Sequence, residues 1–279
     1  MGVNCRSTAD QHAPLEYTGE RMVPEAADRF TFWEHVYRYA FACRFVAGKK
    51  VLDIACGEGY GAAALLKAGA ETVVGVDVSN EACIHARERY GIDTRTGNAE
   101  DIPMPDASVN VVVSFETIEH VPEPLRFLRE CARVLAVGGT LIISTPNKDV
   151  YSGSGTTPNP FHRSEMTEKE FVAALSEKFR RVRLYTQRPR SASWWSLRKL
   201  ALDTKPEATG IERLRRSAQF RWFRRAVYDP TPDERSSAVR LILQATHECR
   251  NPLNGYAVRS WRGGAFEQPT YFVATAVRN

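Results

Sequence analysis

The sequence predicts an α/β protein built on a doubly wound, largely parallel sheet that is covered by helices on both faces. Short apolar runs alternate with longer amphipathic stretches from residue 50 onward, a pattern typical of parallel strands joined by right-handed helical crossovers. Residues 111–113 are three consecutive valines, as expected for a strand buried on both faces. Ligands of such sheets bind outside the carboxyl ends of the strands, so we expect the site there.

The predicted elements follow this alternation along the chain. The strands are 50–54, 72–76, 109–115, 140–144 and 182–186, and a late β-rich segment covers 269–277. The helices between them are 61–67, 80–90, 124–135 and 168–178. The sequence VGG at 137–139 predicts a helix stop and then a tight turn into the next strand.

The chain divides into four predicted parts. Residues 1–48 form an N-terminal tail and a helical lid, 49–187 form the core domain, and 269–279 form the last strand of the core sheet. The interval 188–268 is too long for a plain connection and has helical periodicity, so we expect a helical insertion there. It is also basic, because residues 188–262 hold 16 Lys/Arg and 7 Asp/Glu.

Composition narrows the class of protein. A chain of 279 residues, 43% hydrophobic and 25% charged, suits one large soluble α/β domain with insertions. No apolar run reaches the ~18 residues that span a bilayer, and the first residues lack the apolar core of a secretory signal. Six scattered cysteines without a C-x-x-C pair fit a reducing compartment. We therefore expect a cytoplasmic protein that does not enter a membrane.

The stretch VLDIACGEGYG, residues 51–61, is the first sign of chemistry. Gly57, Gly59 and Gly61 let the backbone turn sharply and approach a ligand, and a helix that begins there directs free N–H groups at it. Asp77 ends the second strand 20 residues after Gly57, where a carboxylate can bind both hydroxyls of a ribose. These features indicate a nucleoside ligand, although residues 57–62, read as G-x-G-x-x-A, also fit a dinucleotide.

Asp53 discriminates between these two ligands. In a dinucleotide site the glycine loop faces a pyrophosphate, and a carboxylate four residues before that loop would repel it. A ligand that carries an ammonium group and a sulfonium has the opposite requirement. Asp53 therefore favours a cationic nucleoside.

Four successive segments resemble the motifs of class I S-adenosylmethionine-dependent methyltransferases, in the order of that family. They are VLDIACGEGYG, VVGVDVS, GNAEDIPMPDASVNVVVSFETIEHV and LRECARVLAVGGTLIISTPN. The resemblance covers roughly residues 50–186, and the final strand fits the family's reversed seventh strand. It implies a seven-stranded Rossmann-like methyltransferase sheet, S-adenosylmethionine as cofactor and S-adenosylhomocysteine as product.

The resemblance also implies which residues bind the cofactor. They are Asp53, Ala55, Gly57, Gly59, Asp77, Val78, Asn98, Ala99 and Phe115. Asp53 and the glycine loop would hold the methionine portion, Asp77 the ribose, and Val78 with residues 98–99 the adenine. Asn98 stands where the family has Asp, but an amide oxygen can still accept from the adenine amino group.

The segments EYTGERMVPE, 16–25, and EHVYRYAFA, 34–42, are expected to form the lid over the cofactor. They resemble the openings of bacterial methyltransferases found in sugar and polysaccharide gene sets. Arg21 or Arg38 could pair with the methionine carboxylate, and His35 and Tyr39 lie in the same lid. The aromatic residues could equally form the apolar face of an amphipathic helix.

The stretch FETIEHVPEP, residues 115–124, predicts the catalytic centre. If residues 117–120 form one helical turn, Glu116, Glu119 and His120 share a face, and with His162 they could hold Mg²⁺ or Mn²⁺. The pattern resembles metal-dependent O-methyltransferases, among them ubiquinone-pathway enzymes and those that methylate small-RNA 3′ ends. Two alternatives stay open: His120 acts as a metal-free general base, or the cluster only shapes the pocket and His162 belongs to a turn before a helix.

The expected activity is methyl transfer to a hydroxyl of a sugar, nucleotide sugar or glycosylated natural product, since an alcohol needs a base or a metal and an amine needs neither. The basic insertion would select a small-molecule acceptor that can bear phosphate, form a homodimer, or both. Nucleic acid is not expected as a partner, because no RNA-binding module is recognisable. The alternatives are methylation of an amine or an RNA end, a nicotinamide-dependent oxidoreductase, and an inactive methyltransferase-fold scaffold.

Overall fold

The computed structural model describes residues 21–27, 29–152, 159–187, 237–248, 258–260 and 269–279, and within them the expected fold is present. Its strands are β1 (Lys50–Ile54), β2 (Thr72–Asp77), β3 (Asp93–Thr96), β4 (Val109–Ser114), β5 (Leu135–Pro146), β6 (Phe179–Gln187), β7 (Arg259–Ser260) and β8 (Tyr271–Arg278). They form one sheet in the order β3-β2-β1-β4-β5-β8-β6-β7. Strand β8 is antiparallel to both of its neighbours, β5 and β6, so the prediction of a reversed strand late in the chain is confirmed.

Seven of these strands make up the doubly wound sheet that the sequence predicted. The eighth, β7, has two residues and pairs antiparallel with β6 at the sheet edge. The reversal of strand order between β1 and β4 places the carboxyl ends of β1, β2 and β4 around one crevice, which is where ligands of such sheets bind.

Helices cover both faces of the sheet. They are α1 (Arg29–Ala42), a 3-10 helix (Cys43–Phe45), α2 (Tyr60–Lys67), α3 (Asn80–Tyr90), α4 (Pro124–Val134), α5 (Lys148–Tyr151), α6 (Glu168–Ser176) and α7 (Ala238–Glu248). Val111 and Val113 pack with α1, α2 and α7 in one core, while Val112 packs with α4 and α6 in the other. The valine run therefore serves both faces, as its uninterrupted hydrophobicity predicted.

Two features of the sheet differ from the sequence expectation. Strand β3, with sequence DTRT, was not predicted, because this edge strand lacks the apolar run that marks a buried one. The prediction of a tight turn at 137–139 is wrong. Helix α4 ends at Val134, and residues 137–139 already belong to β5. Gly138 has φ of +77°, and the pairing of β4 with β5 shifts register between Val109 and Val111, so the glycines form an irregularity within the strand.

Several predicted parts fall partly or wholly outside the described residues. These are the tail 1–20 with its share of the lid, and most of the insertion 188–268. The described pieces of that insertion are residues 258–260, which include β7, and α7, which packs on α1 and α2 through Leu241, Ile242 and Ala245. Among the described helices, none is both long and apolar enough to span a bilayer.

Candidate functional site

A cavity of about 530 Å³ opens at the carboxyl ends of β1, β2 and β4, within the ~300–1,000 Å³ typical of small-molecule sites. The residues proposed from the sequence that line it are Arg21, Ala55, Gly57, Asp77, Val78, Asn98, Ala99, Phe115, Glu116 and His120. Asp53, Gly59 and Arg38 do not line this cavity. The sequence therefore located the cavity, but not every residue of its wall.

The glycine loop turns through three residues with left-handed backbone. Ala55, Gly57 and Gly59 have φ of +57°, +52° and +87°, a region that glycine enters without steric cost. Gly59 begins α2 as its N-cap, and a Cβ there would lie 2.5 Å from the Cβ of Ala86. These glycines therefore bring the loop close to the cavity and to α3.

Asp77 holds the glycine loop to the end of β2. Its Oδ2 accepts from the Gly57 N–H at 2.8 Å and its Oδ1 from the Ser79 N–H at 2.9 Å. Each carboxylate oxygen has a second lone pair, and Asp77 lines the cavity. The residue can therefore accept from ligand hydroxyls while it fixes the loop.

Asp53 is fully buried and lies behind the cavity wall. The Tyr39 hydroxyl lies 3.2 and 3.3 Å from the two carboxylate oxygens, and Tyr39 itself lines the cavity. Burial raises the pKa of Asp53 to about 8; the Tyr39 hydrogen bond lowers that pKa and Asp77 raises it. Asp53 therefore contacts a residue of the cavity wall, Tyr39, and is not itself part of that wall.

The part of the cavity wall that follows β2 and β3 suits a flat apolar ring. Val78 leaves 79% of its surface exposed and lies beside Asn98 and Ala99 in the cavity wall. The Asn98 side-chain oxygen accepts from the Glu100 N–H at 2.9 Å, so one lone pair of that oxygen is used within the loop. A ring stacked on Val78 would have the Asn98 amide at its edge.

A second cavity, of about 140 Å³, adjoins the first. Arg21, Met22, His35, Glu116 and His120 line both, and we call these residues the shared wall. The remainder of the smaller cavity is mostly polar. It includes Glu34, Arg38, Glu119, Tyr151, Asn159, His162 and Tyr271.

Glu116 is held at the shared wall by an ion pair and hydrogen bonds, and its backbone is strained there. Its Oε1 lies 2.6 Å from Arg38 Nη1 and accepts from the Ser144 hydroxyl at 2.7 Å. Its own N–H donates to the same Ser144 oxygen at 3.1 Å. Glu116 has φ of +51°, a conformation that costs a residue other than glycine about 1–3 kcal/mol and clusters at functional sites.

Arg38 lines the smaller cavity, where it is 1% exposed. Its Nη2 lies 3.8 Å from Glu34 Oε2, and its guanidinium lies 4.6 Å from the centre of the Tyr271 ring. Of the two arginines proposed to pair with a ligand carboxylate, Arg21 lines both cavities, whereas Arg38 is engaged by protein groups. The placement therefore favours Arg21.

Three of the four residues proposed from the sequence as metal ligands lie together in the structure. Glu119, His120 and His162 bring one possible ligand atom each to within 4.8 Å of one another, but Glu116 turns to Arg38 instead. The reason is local: residues 117–120 form a single turn, closed by the His120 N–H to the Thr117 carbonyl at 2.9 Å, and Glu116 precedes it with left-handed backbone. The helical spacing on which the set of four depended therefore stops short of Glu116.

Both histidines of this cluster present Nε2 as the basic nitrogen. His120 Nδ1 lies 3.0 Å from the Phe161 carbonyl oxygen, which can only accept, so Nδ1 carries the proton of a neutral ring. His162 Nδ1 lies 2.6 Å from the Glu165 carboxylate and is fixed in the same way. Such outer hydrogen bonds orient histidines that bind metals.

Glu119 completes the cluster with a carboxylate that is fully buried. Neither oxygen has a hydrogen-bond partner among the described residues. Burial raises the pKa of Glu119 well above its usual range, and Glu116 raises it further. A buried carboxylate whose oxygens accept no hydrogen bond is costly, and a bound cation would offset that cost.

Other wall residues were not singled out as binding residues from the sequence. His35 and Tyr39 were placed in the lid, and the structure brings both into the cavity wall. The His35 Nδ1 lies 3.1 Å from the Tyr60 hydroxyl, and burial, with Arg38, lowers the pKa of His35 well below its usual value. Residues 35 and 39 are four apart on α1 and therefore share a face, a signal that could have identified the pair.

Residues 52–143 match a known family, described as a methyltransferase domain. The chain is 42% identical over 164 residues to a probable S-adenosylmethionine-dependent methyltransferase of Mycolicibacterium smegmatis, a match that covers 58% of this chain and 63% of the relative. It is 40% identical over 114 residues to a ubiquinone biosynthesis O-methyltransferase of Aliivibrio fischeri, over 38% of this chain and 47% of that relative. The chain thus spans less than two thirds of the length of either relative.

The fold is similar to that of a solved structure from Thermotoga maritima, described as an S-adenosylmethionine-dependent methyltransferase and possible histamine N-methyltransferase. The TM-score is 0.53 at 16% identity, over 90% of this chain and 95% of that chain. At such identity the likeness concerns the fold alone.

Proposed function

We propose that this chain, which belongs to the class I S-adenosylmethionine-dependent methyltransferases, transfers a methyl group from that cofactor to a hydroxyl of a polar small molecule. The proposed acceptors are sugars, nucleotide sugars and glycosylated natural products. The observation that carries the proposal is the pair of adjoining cavities, a larger one suited to a nucleoside and a smaller polar one that meets it at the shared wall.

The larger cavity fits S-adenosylmethionine in the chemistry of its wall. Asp77 offers carboxylate oxygens to ribose hydroxyls, Val78 an apolar face to adenine, and Arg21 a cation to the methionine carboxylate. When bound, the cofactor supplies a methyl group on a sulfonium. The protein then has to align the acceptor oxygen, receive its proton and exclude water from the junction.

Oxygen is the proposed acceptor atom because the shared wall holds groups that can take a proton. His120 presents Nε2 there, and an alcohol needs a general base, worth about 10²–10⁴-fold in rate. An amine would need no such group. The Aliivibrio fischeri relative, an O-methyltransferase by name, supports the same choice.

We include a divalent cation in the proposal, held by Glu119, His120 and His162. Two imidazoles and one carboxylate suit Mn²⁺ or another transition metal better than Mg²⁺, which prefers oxygen ligands. A cation at this position would acidify a nearby hydroxyl. Metal binding and a metal-free base at His120 are then competing accounts of how the proton leaves.

Methyl transfer is tested with labelled S-adenosylmethionine against a panel of sugars, nucleotide sugars and glycosides, with product masses read directly. We expect the product from one acceptor class to be heavier than the acceptor by about 14 mass units, because replacing a hydroxyl hydrogen with a methyl group adds one CH2. The variant His120→Ala should lose about 10²–10⁴-fold in kcat, with S-adenosylhomocysteine affinity unchanged. Products methylated only on nitrogen would contradict the choice of oxygen.

Metal binding is tested by titrating the wild-type protein with Mn²⁺ and recording electron paramagnetic resonance. We expect Glu119→Gln and His162→Ala to weaken binding at least about 10-fold. Glu116→Gln is the matched control, since it neutralises a neighbouring carboxylate outside the cluster, and should bind Mn²⁺ like wild type. No binding by wild type, or equal loss in Glu116→Gln, would remove the cation from the account.

The rival functions make different demands on the same protein. Methylation of an RNA end requires retention on immobilised RNA at physiological salt, and methylation of an amine requires an N-methylated product from the panel. An oxidoreductase requires binding of a nicotinamide dinucleotide, against which Asp53 argues. An inactive scaffold would bind the cofactor without turnover.

The proposals for the charge of the acceptor, the cellular compartment and the oligomeric state rest on the sequence. The basic insertion 188–268 suits a phosphate-bearing acceptor, so acceptor binding should weaken with salt. We propose the cytoplasm as the compartment, and the same insertion as the surface through which a homodimer would form. Sedimentation of the chain with and without residues 188–236 checks the last of these proposals.

A further inference from the structure

The contact between Asp53 and the cavity needs an intermediary. Asp53 has no exposed surface, and its carboxylate lies outside the cavity wall. A buried carboxylate outside the wall acts on a ligand through space, but it can take part in a chain of hydrogen bonds to that ligand through a group that touches both. Tyr39 is such a group, because its hydroxyl contacts both carboxylate oxygens and its side chain lines the cavity.

The position of the Tyr39 ring is set by three neighbours. The ring packs edge-on against Phe115, with centroids 5.1 Å apart, and against Tyr60, with centroids 5.6 Å apart. Its third neighbour is Gly61 of α2, where a Cβ would overlap the Tyr39 ring. Ring packing of this kind limits the hydroxyl to one place.

A tyrosine hydroxyl can donate and accept at the same time. Here it donates to Asp53, which as a carboxylate can only accept, and its oxygen lone pairs remain for a donor in the cavity. An ammonium group is such a donor, and its charge would be stabilised by Asp53 one hydrogen bond away. A chain of hydrogen bonds of this type strengthens each member.

We infer that Tyr39 is the positioning residue through which Asp53 binds the ammonium group of the cofactor's amino acid portion. The inference rests on the proposed cofactor, S-adenosylmethionine. It extends the site to α1, an element outside the glycine loop and outside the matched family region, residues 52–143.

The test compares two nucleosides by calorimetry. S-adenosylhomocysteine carries the ammonium group, and 5′-methylthioadenosine lacks the whole amino acid portion. Tyr39→Phe should weaken S-adenosylhomocysteine binding about 10- to 100-fold, since a hydrogen bond with a charged partner is lost, and leave 5′-methylthioadenosine binding within about twofold. Tyr185→Phe is the matched control, because it removes one hydroxyl from a ring that packs on Phe41 of α1 outside both cavities and should show no such selectivity.

A second variant separates coupling from misfolding. Asp53→Asn should show the same selective loss, and the double variant should be no weaker than Asp53→Asn, because both residues act in one chain of hydrogen bonds. Equal loss for both nucleosides in Tyr39→Phe would mean a structural role, and no loss for either would also overturn the inference. If wild type bound neither nucleoside, the proposed cofactor itself would be wrong.

Discussion

Arg38 of α1 and Glu116, which follows β4, form an ion pair with 2.6 Å between Nη1 and Oε1, in which Arg38 is buried and Glu116 partly buried. The pair joins the N-terminal helix to the junction of the two cavities. Ser144 of β5 bonds to both partners, and Tyr271 of β8 lies against the guanidinium. Four elements therefore meet at one charge pair beside the proposed site of transfer.

Breaking this pair should destabilise the fold. Arg38→Met leaves the partly buried Glu116 without its cation, and the loss in the free energy of unfolding should lie between the about 0–1 kcal/mol of an exposed pair and the about 3–5 kcal/mol of a fully buried one. Arg126→Met is the control, because Arg126 and Glu123 are both exposed and 4.0 Å apart, where a pair is worth about 0–1 kcal/mol. Urea denaturation measures both losses, and equal small losses would show that the Arg38–Glu116 pair is not structural.

Asp77 should govern cofactor affinity through both of its oxygens. Asp77→Asn replaces one acceptor with a donor facing the Gly57 or Ser79 N–H, so the loop and the ribose contacts should suffer together. We expect S-adenosylhomocysteine affinity to fall about 10- to 100-fold by calorimetry. Asp93→Asn, on the exposed edge strand β3, is the matched control, and unchanged affinity in Asp77→Asn would remove Asp77 from the site.

Gly61→Ala should lose affinity although alanine is the better helix former. Replacing glycine by alanine within a helix usually gains about 0.5–1 kcal/mol, but a methyl group at 61 would displace the Tyr39 ring. Gly91→Ala is the contrast: its φ of +68° is strained for alanine, yet nothing lies within 4 Å of the added Cβ. The midpoint temperature of thermal unfolding should fall for Gly91→Ala, while its affinity for S-adenosylhomocysteine stays unchanged. Gly61→Ala should lose affinity for S-adenosylhomocysteine.

Cofactor affinity should rise with pH and level off near pH 8. Burial raises the pKa of Asp53 to about 8, so below that pH a cation must displace a proton from Asp53, and affinity gains up to about tenfold per pH unit. Burial also raises the pKa values of Tyr39, Tyr60 and Cys56 and lowers that of His35, so these neighbours do not titrate between pH 6.5 and 8. Asp53→Asn should remove the dependence; if the slope persisted in that variant, Asp53 would not be its source.

The parts of the site that were predictable from the sequence are those in which neighbouring residues act through local geometry. The glycine loop after the first strand and Asp77 at the end of the second were expected beside one cavity, because the carboxyl ends of adjacent parallel strands meet at the same edge of the sheet. Strand β3 was not predictable from the sequence, because DTRT carries no hydrophobic pattern. The sequence VGG at 137–139 predicts a turn, but Gly138 and Gly139 accommodate a register shift within β5 instead.

The contacts that could not be predicted join distant segments. Nothing local to residues 34–42 shows that Arg38 will reach Glu116 or that Tyr39 will reach Asp53, because both contacts depend on how α1 docks on the sheet. The metal set of four assumed a helical turn that included Glu116. The left-handed backbone at that residue, supported by Ser144 and Arg38, breaks the assumed spacing.

The central claim is that the larger cavity binds a sulfonium nucleoside with its amino acid end at Tyr39 and its base at Val78. A crystal structure of the protein with S-adenosylhomocysteine tests this most directly. We expect the ribose on Asp77, the ammonium nitrogen within hydrogen-bond distance of the Tyr39 hydroxyl, and the adenine between Val78 and Asn98. Density for the nucleoside in another place, or with its amino acid end turned away from Tyr39, would contradict the account.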